Sequence, residues 1–284
     1  MQNQPRALRS IVSAAMLVGC VGTANPQGSK LEDIEKNLQL CNGVGQVTLD
    51  LRIEGCTALI DSDAAIPRTL AIAHNNRGNA YTRKGEYDRA IRDYDESIKA
   101  NPGYAKAFNN RGLAYQKKGL YERAIEDFDR SIGLNPKDAG VVANRAETYR
   151  KMGDFSHAVR DLDEAISIEP TLEGVWSGRC WIHAITDELD LGLTDCNEAI
   201  RLDPNVATTF DSRGLIYLKM SQWQAALADY DSALQLQPNL ASSLYGRGLV
   251  KLKIGNSAEG KADIAAAVAI EPDIAAQFAR YGVL

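Results

Sequence analysis

Six prolines stand 34 residues apart in this chain: Pro102, Pro136, Pro170, Pro204, Pro238 and Pro272. A fixed step of that length, with turn residues at constant offsets, is the mark of stacked helix-turn-helix units, because each unit has an apolar face that only its neighbours can bury. With Ala71 as position 1 of the first unit, six units run in unbroken register. The period therefore predicts one elongated all-α solenoid of antiparallel helix pairs, whose core is a continuous strip.

The residues inside the units sharpen this. The first helix carries a small residue at position 8 (Gly78, Gly112, Ala146, Cys180, Gly214, Gly248). The second carries another at position 20 (Ala90, Ala124, Ala158, Gly192, Ala226, Gly260), then a bulky one at position 24 (Tyr94, Phe128, Leu162, Cys196, Tyr230, Ile264). Small residues in both helices let the pair approach closely, and large ones fill the ridge beside that contact. In repeat 4, Gly192 reads as compensation for Cys180. With these residues at this period, residues 71–272 resemble the tetratricopeptide repeat (TPR) family, which implies a right-handed superhelical solenoid. Repeat 6 departs from the pattern, with Lys251 and Ser257 where aromatics are expected. Residues 273–284 carry Phe278 and Tyr281 in the places that open a further unit, which predicts a capping helix over the last apolar face.

Six repeats are thus expected over 66–272. Aligning Cys56-Thr57-Ala58-Leu59-Ile60 with Tyr94-Asp95-Glu96-Ser97-Ile98 makes 31–65 a degenerate helical hairpin before them. Residues 20–30 read as a linker. Residues 1–19 read as a signal peptide: Arg6 and Arg9 precede an apolar run, Ile11 to Gly19, too short to span a bilayer. Its end, Leu17-Val18-Gly19-Cys20, resembles the bacterial lipobox, which implies lipidation of Cys20. Gly22-Thr23-Ala24 leaves an ordinary cleavage after Ala24 as the alternative. Val21 after Cys20 favours, by the same resemblance, the outer membrane.

The chain holds five cysteines. Cys41 and Cys56 repeat almost the spacing of Cys180 and Cys196, each pair spanning one helical hairpin, which suggests two disulfides in an exported protein. Small thiols filling helix contacts are the alternative.

The formal charge of −5 shows no basic stripe, so nucleic acid is not an expected partner. His74, His157 and His183 lie in different repeats at different helical positions, without metal-ligand spacing. Asn42-Gly43-Val44-Gly45 reads as a turn, and no nucleophile stands beside a base. No catalytic residue, metal or cofactor is expected.

Position 7 is arginine in every unit (Arg77, Arg111, Arg145, Arg179, Arg213, Arg247), where the resembled family usually has leucine. Position 23 is always aspartate (Asp93, Asp127, Asp161, Asp195, Asp229, Asp263). Guanidinium and carboxylate pair as a fork, so the two columns predict a ladder stitching helices together, with ligand contact as the arginines' other use.

The resemblance also implies that first helices line the concave face. Position 6 there is Asn76, Asn110 and Asn144 in the first three repeats, then Gly178, Ser212 and Gly246. An amide both donates and accepts, so a line of them can hold an extended peptide's backbone, similar to the asparagine ladder of the O-linked N-acetylglucosamine transferases. Simple tolerance of Asn in a solvated groove is the alternative. A carboxylate clamp of the TPR type is matched at Asn79 and Asn110, but Asn75, Gly140 and Asn144 stand where cations belong. Farther on, Trp181, Leu215, Leu218, Tyr245, Leu249 and Leu252 make the groove more apolar, a candidate site for an amphipathic helix, unless tight curvature buries them against one another.

The expectation is a non-enzymatic adaptor of the bacterial cell envelope, periplasmic and held to the membrane only through its lipid, with envelope proteins or peptides as partners. Its architecture resembles bacterial TPR lipoproteins that gather peptidoglycan hydrolases and proteases. A subunit of an envelope assembly or secretion machine, or an accessory to an envelope enzyme, is the alternative.

Overall fold

The computed structural model describes residues 26–62 and 66–283, and among them fifteen helices and no strand. A leading pair, α1 (Pro26–Asn42) and α2 (Leu49–Ile60), precedes α3 (Pro67–Arg83) with α4 (Tyr87–Ala100) and α5 (Ala105–Lys117) with α6 (Tyr121–Leu134). Then follow α7 (Ala139–Met152) with α8 (Phe155–Ile168) and α9 (Val175–Ile185) with α10 (Leu189–Leu202). The array closes with α11 (Ala207–Lys219) and α12 (Trp223–Leu236), α13 (Ala241–Lys253) and α14 (Ser257–Ile270), and a short α15 (Ile274–Arg280). The expected signal segment, Cys20 and Ala24 lie outside the described residues. α1 starts at Pro26, inside the stretch that reads as linker. Among the described residues no helix is long and apolar enough to cross a membrane.

Two signals in each unit set its boundaries. The residue before a proline is pushed out of the α region. Accordingly Asn101, Asn135, Glu169, Asp203, Gln237 and Glu271 end the second helices with φ between −147° and −136°. Between the helices of a pair, position 15 is left-handed. Gly85, Gly119, Gly153 and Gly255 take it freely, whereas Asp187 (φ 65°) and Ser221 (φ 58°) hold it despite a Cβ.

Close approach within pairs follows the small-to-large pattern. A Cβ on Gly78, Gly112 or Gly214 would lie 2.7, 2.8 or 2.9 Å from the ring of Tyr94, Phe128 or Tyr230. Gly192 has a different cause from the one its sequence suggests: a Cβ there would meet Ile216 Cδ1 at 2.8 Å, so it makes room for α11 and does not answer Cys180.

The arginine and aspartate columns join three helices at a time. Arg111 donates from Nε and Nη2 to Asp127 at 2.8 and 2.7 Å, and from Nη1 to Asp95 on the preceding unit at 2.6 Å. Arg145 does the same with Asp161 and Asp129, and Arg247 with Asp263 and Asp231. Hydrogen bonding to Asp127 lifts the Arg111 guanidinium above its usual range, although burial pulls the other way. The third partner recurs at position 25 (Asp95, Asp129, Asp163, Asn197, Asp231), a legible column that the two-residue ladder leaves out. For Arg77 that partner is Thr57, at 2.9 Å from Nη1, the residue the hairpin alignment sets opposite Asp95. Cys41 and Cys56 lie with Cα atoms 4.5 Å apart, and Cys180 and Cys196 5.2 Å, both within bridging distance.

The far end departs from expectation. Tyr230 and Leu234 on α12 are buried under the next unit, but their counterparts on α14, Ile264 and Val268, are half-buried and 39% exposed. α15 does not cover that face; it turns over the concave side instead.

Candidate functional site

The concave surface has two halves of different chemistry. In the first, the asparagines form one relay across four helices. Asn144 Nδ2 donates to Asn109 Oδ1 at 3.0 Å, Asn109 to Asn110 at 3.3 Å, and Asn110 to Asn75 at 2.9 Å. Asn75 then donates to Asn76 at 3.4 Å, and Asn76 to Asn42 at 3.0 Å. Asn76, Asn110 and Asn144 thus lie on one line, as the period implies. They do not stand alone: the position-5 amides Asn75 and Asn109 bridge each repeat to the next, a role the sequence signalled through the doublets Asn75-Asn76 and Asn109-Asn110. Each amide group in the relay keeps a second N–H, and its oxygen a second lone pair. Asn75 is buried; Asn76, Asn109, Asn110 and Asn144 are half-buried, so these spare groups border the groove.

Asn79 has another task. It accepts from the Tyr94 hydroxyl at 2.8 Å, tying α3 to α4, so it does not extend the relay.

The relay stops after Asn144 because the next unit has Gly178 at position 6, with no amide to continue it, although a Cβ there would meet Leu162 only at 3.8 Å. Ser212 turns back to the Thr208 carbonyl at 2.9 Å. At Gly246, a Cβ would fall 2.2 Å from Tyr230 Cζ, so no side chain fits there. The position-5 residue is now Asp211, which accepts from Ser242 at 2.8 Å and Ser243 at 2.6 Å. Burial pushes its carboxyl up to about 6, against the pull of both serines. The nearby Tyr230 hydroxyl is buried and has no partner among the described residues.

The second half is apolar and already covered. Phe278 of α15 lies 4.8 Å from Tyr245, and Tyr281 meets Trp181 edge-on at 6.4 Å. The Arg150 guanidinium sits 5.0 Å over the Trp181 ring, itself held by a fork to Glu147. Leu215 is buried, and Leu249 and Tyr245 are partly buried in the same cluster as Ile274 and Phe278. Of the residues expected as open partner surface, Tyr245 and Trp181 therefore meet the chain's own C-terminal segment, and Leu215 and Leu249 lie in the apolar cluster that Ile274 and Phe278 join. Gly282 and Val283 continue along a cavity of about 340 Å³ that Leu189, Leu218, Trp223 and Leu249 also line.

The histidines are scattered as their positions imply. His74 lies against Asp93, His157 caps with Asp154, and His183 is buried near Asp195. Among the described residues no group of three or more His, Cys, Asp or Glu is placed to hold a metal.

Sequence comparison matches TPR repeat models to residues 78–119 and 214–255, and tetratricopeptide repeat models to 105–138 and 139–172. A search of curated protein sequences returns no match. Among solved structures, the chain is similar to a tetratricopeptide repeat protein from Parabacteroides merdae, with TM-score 0.64 and 19% identity over 90% of this chain and 99% of that one. It is similar to YrrB, described as a TPR protein with an unusual peptide-binding site, at TM-score 0.57 and 21% identity over 69% and 98%. It is also similar to PilW, described as a widely conserved type IV pilus biogenesis factor, at TM-score 0.63 and 16% identity over 72% and 94%. With the repeat models, the helix pairing and these folds in agreement, the chain belongs to the tetratricopeptide repeat proteins.

Proposed function

We propose that this chain is a non-enzymatic interaction scaffold that holds a partner's extended peptide along the asparagine relay of repeats 1–3. One observation carries the reading: Asn109, Asn110, Asn75 and Asn76 each donate once and accept once within the relay, and Asn144 donates at its end, which fixes the side chains while leaving the spare groups to a peptide backbone. A pre-fixed amide row binds at lower ordering cost than mobile side chains would. YrrB, of similar fold, has a peptide-binding site by its description, which favours the same class of ligand. The test is capture of partners from envelope extracts by the unmodified chain and by the Asn76→Ala, Asn110→Ala, Asn144→Ala triple variant. Specific partners lost by the folded variant support the reading; an unchanged set defeats it.

The place of action follows from the N-terminus. Arg6, Arg9 and the stretch from Leu17 to Cys20 support export and a lipid anchor at Cys20, and cysteine pairs at bridging distance suit an oxidising compartment. Cys20→Ala should move the protein from membranes to the soluble envelope fraction. A mature N-terminus at Asn25 would instead assign cleavage after Ala24.

A second reading, a subunit of an envelope assembly or secretion machine, is favoured by the fold shared with PilW, a likeness of architecture alone. Capture of assembly components in place of hydrolases or proteases would select it.

A further inference from the structure

The asparagine relay runs beside a row of cations. Seven residues of an α-helix make almost two full turns, so position 13 points within about 20° of position 6 and lies about 10 Å farther along. In repeats 1–3 position 13 is Arg83, Lys117 and Lys151, seven after Asn76, Asn110 and Asn144, and all three cations are exposed. Lys106, four before Asn110 and also exposed, flanks the relay on its other side. The neighbouring lysines at position 14 are neutralised, Lys84 by Asp50 at 2.7 Å and Lys118 by Asp88. By contrast Arg83, Lys106 and Lys117 have no acidic partner among the described residues. α3 and α5 contain no Asp or Glu, and the one acid of α7, Glu147, is shared between the Arg150 fork and Lys151 at 3.7 Å. The acids behind the formal charge of −5 lie instead on second helices such as α6, with Glu122, Glu126, Asp127 and Asp129, which corrects the reading of a chain without a basic stripe. A cation at a helix C-terminus complements the dipole, but one per helix does that, and Lys84 and Lys118 already stand at those ends.

We propose that the segment held along the relay is acidic: an extended peptide with Asp or Glu at alternate positions, whose carboxylates meet Arg83, Lys117 and Lys151. The inference rests on the scaffold reading and supplies its specificity. Successive side chains of an extended chain point to opposite sides, so one set of alternate residues faces the cations while the backbone lies on the amides. A Glu side chain and a Lys or Arg side chain together bridge the gap between the two rows. The amides grip any backbone and so distinguish nothing. The cations distinguish by charge, favouring an acidic segment and repelling a basic one. The acids of the second helices repel the same ligand, which steers it to the concave side.

The probe is a fluorescein-labelled peptide of alternating Ser and Glu, about twelve residues and roughly 40 Å when extended, compared with its Ser-Gln counterpart on the full chain at low ionic strength. The Glu peptide should bind about tenfold tighter and lose that advantage in high salt. Arg83→Gln with Lys117→Gln and Lys151→Gln should abolish the preference and leave binding of the Gln peptide unchanged. Arg92→Gln with Arg130→Gln and Arg160→Gln, the same change of charge at exposed sites on α4, α6 and α8, should keep most of it. Equal binding of both peptides to the unmodified chain, no detectable binding of the Glu peptide, or an equal loss in the two triple variants overturns the proposal. The first two outcomes need no variant to fold. An oligothymidylate of the same length, bound at least as tightly as the Glu peptide and released by the same row substitutions, would assign the row to a phosphate backbone and also overturns it. Equal binding of both peptides that the Asn76→Ala, Asn110→Ala, Asn144→Ala variant abolishes would leave the relay standing without the acid preference. A preference that survives that variant would support the row and defeat the relay, so the two readings fall separately.

Discussion

Asn110 donates from Nδ2 to Asn75 Oδ1 at 2.9 Å, across the gap between two repeats. The bond makes the amide row part of the inter-repeat contact as well as of the groove. Asn109→Ala, in the middle of the relay, leaves Asn144 and Asn110 each short of a partner and should cost about 1 kcal/mol of stability, water replacing part of the loss. Asn76→Ala, beside the exposed Asn42, should cost less. Urea unfolding of both variants checks the order, and an equal effect would mean that the relay is not coupled.

Arg145 forks onto Asp161, almost fully buried, and reaches the half-exposed Asp129 with its remaining nitrogen. Arg145→Lys keeps the charge and loses the planar fork, at an expected cost of about 2 kcal/mol. Asp129→Ala removes only the outer partner and should cost under about 1 kcal/mol. Denaturant titration that ranks the two variants the other way round would refute the division of roles.

Ser221 holds φ 58° where four other repeats have glycine. Ser221→Gly relieves a left-handed Cβ and should stabilise the chain by about 1 kcal/mol. Thermal melting reads the gain directly. Asp187 is a poorer target, because its carboxylate also pairs with Lys219 at 2.5 Å.

Asp211 keeps its proton up to about pH 6 in the folded chain because burial disfavours the charge. The unfolded chain releases it near the ordinary carboxylate value of about 4. Between those values folding takes up a proton, so this group's contribution falls as pH rises through the window and levels off above it. Tyr230 and Tyr281 face the same carboxylate and stay neutral throughout that range. Asp211→Asn should therefore stabilise by about 1 kcal/mol at pH 7.5 and by little at pH 4.5, the half-buried site reducing the full effect. Melting curves that shift equally at both pH values would show that the charge is not the cause.

Cys41–Cys56 and Cys180–Cys196, with Cα atoms 4.5 and 5.2 Å apart, are expected to form disulfides in the oxidising compartment that the proposed export implies. Each closes a short loop, for which about 3 kcal/mol is the chain-entropy value. Non-reducing peptide mapping should recover both links, and free alkylation of all of Cys41, Cys56, Cys180 and Cys196 in protein from its native compartment would reject them.

The sequence alone was enough for everything that repeats. Helix boundaries are local: a proline excludes the α region from its predecessor, and a left-handed position marks the turn, so each can be read from a few residues. The arginine and aspartate columns and the asparagine row were legible too, because residues at one position of a 34-residue unit must line up. Even the parts missed, the position-25 acids and the position-5 amides, were columns in plain view. Cys20 and the leading segment rest on sequence alone.

Where α15 lies was decided only by the tertiary structure. Its register fits a seventh first helix equally well, and nothing local distinguishes a cap on α14 from a cover over Trp181 and Tyr245. A repeat pattern encodes contacts between neighbouring units. Tyr281 against Trp181 spans two units, and that distance is set by the curvature accumulated over the intervening helices.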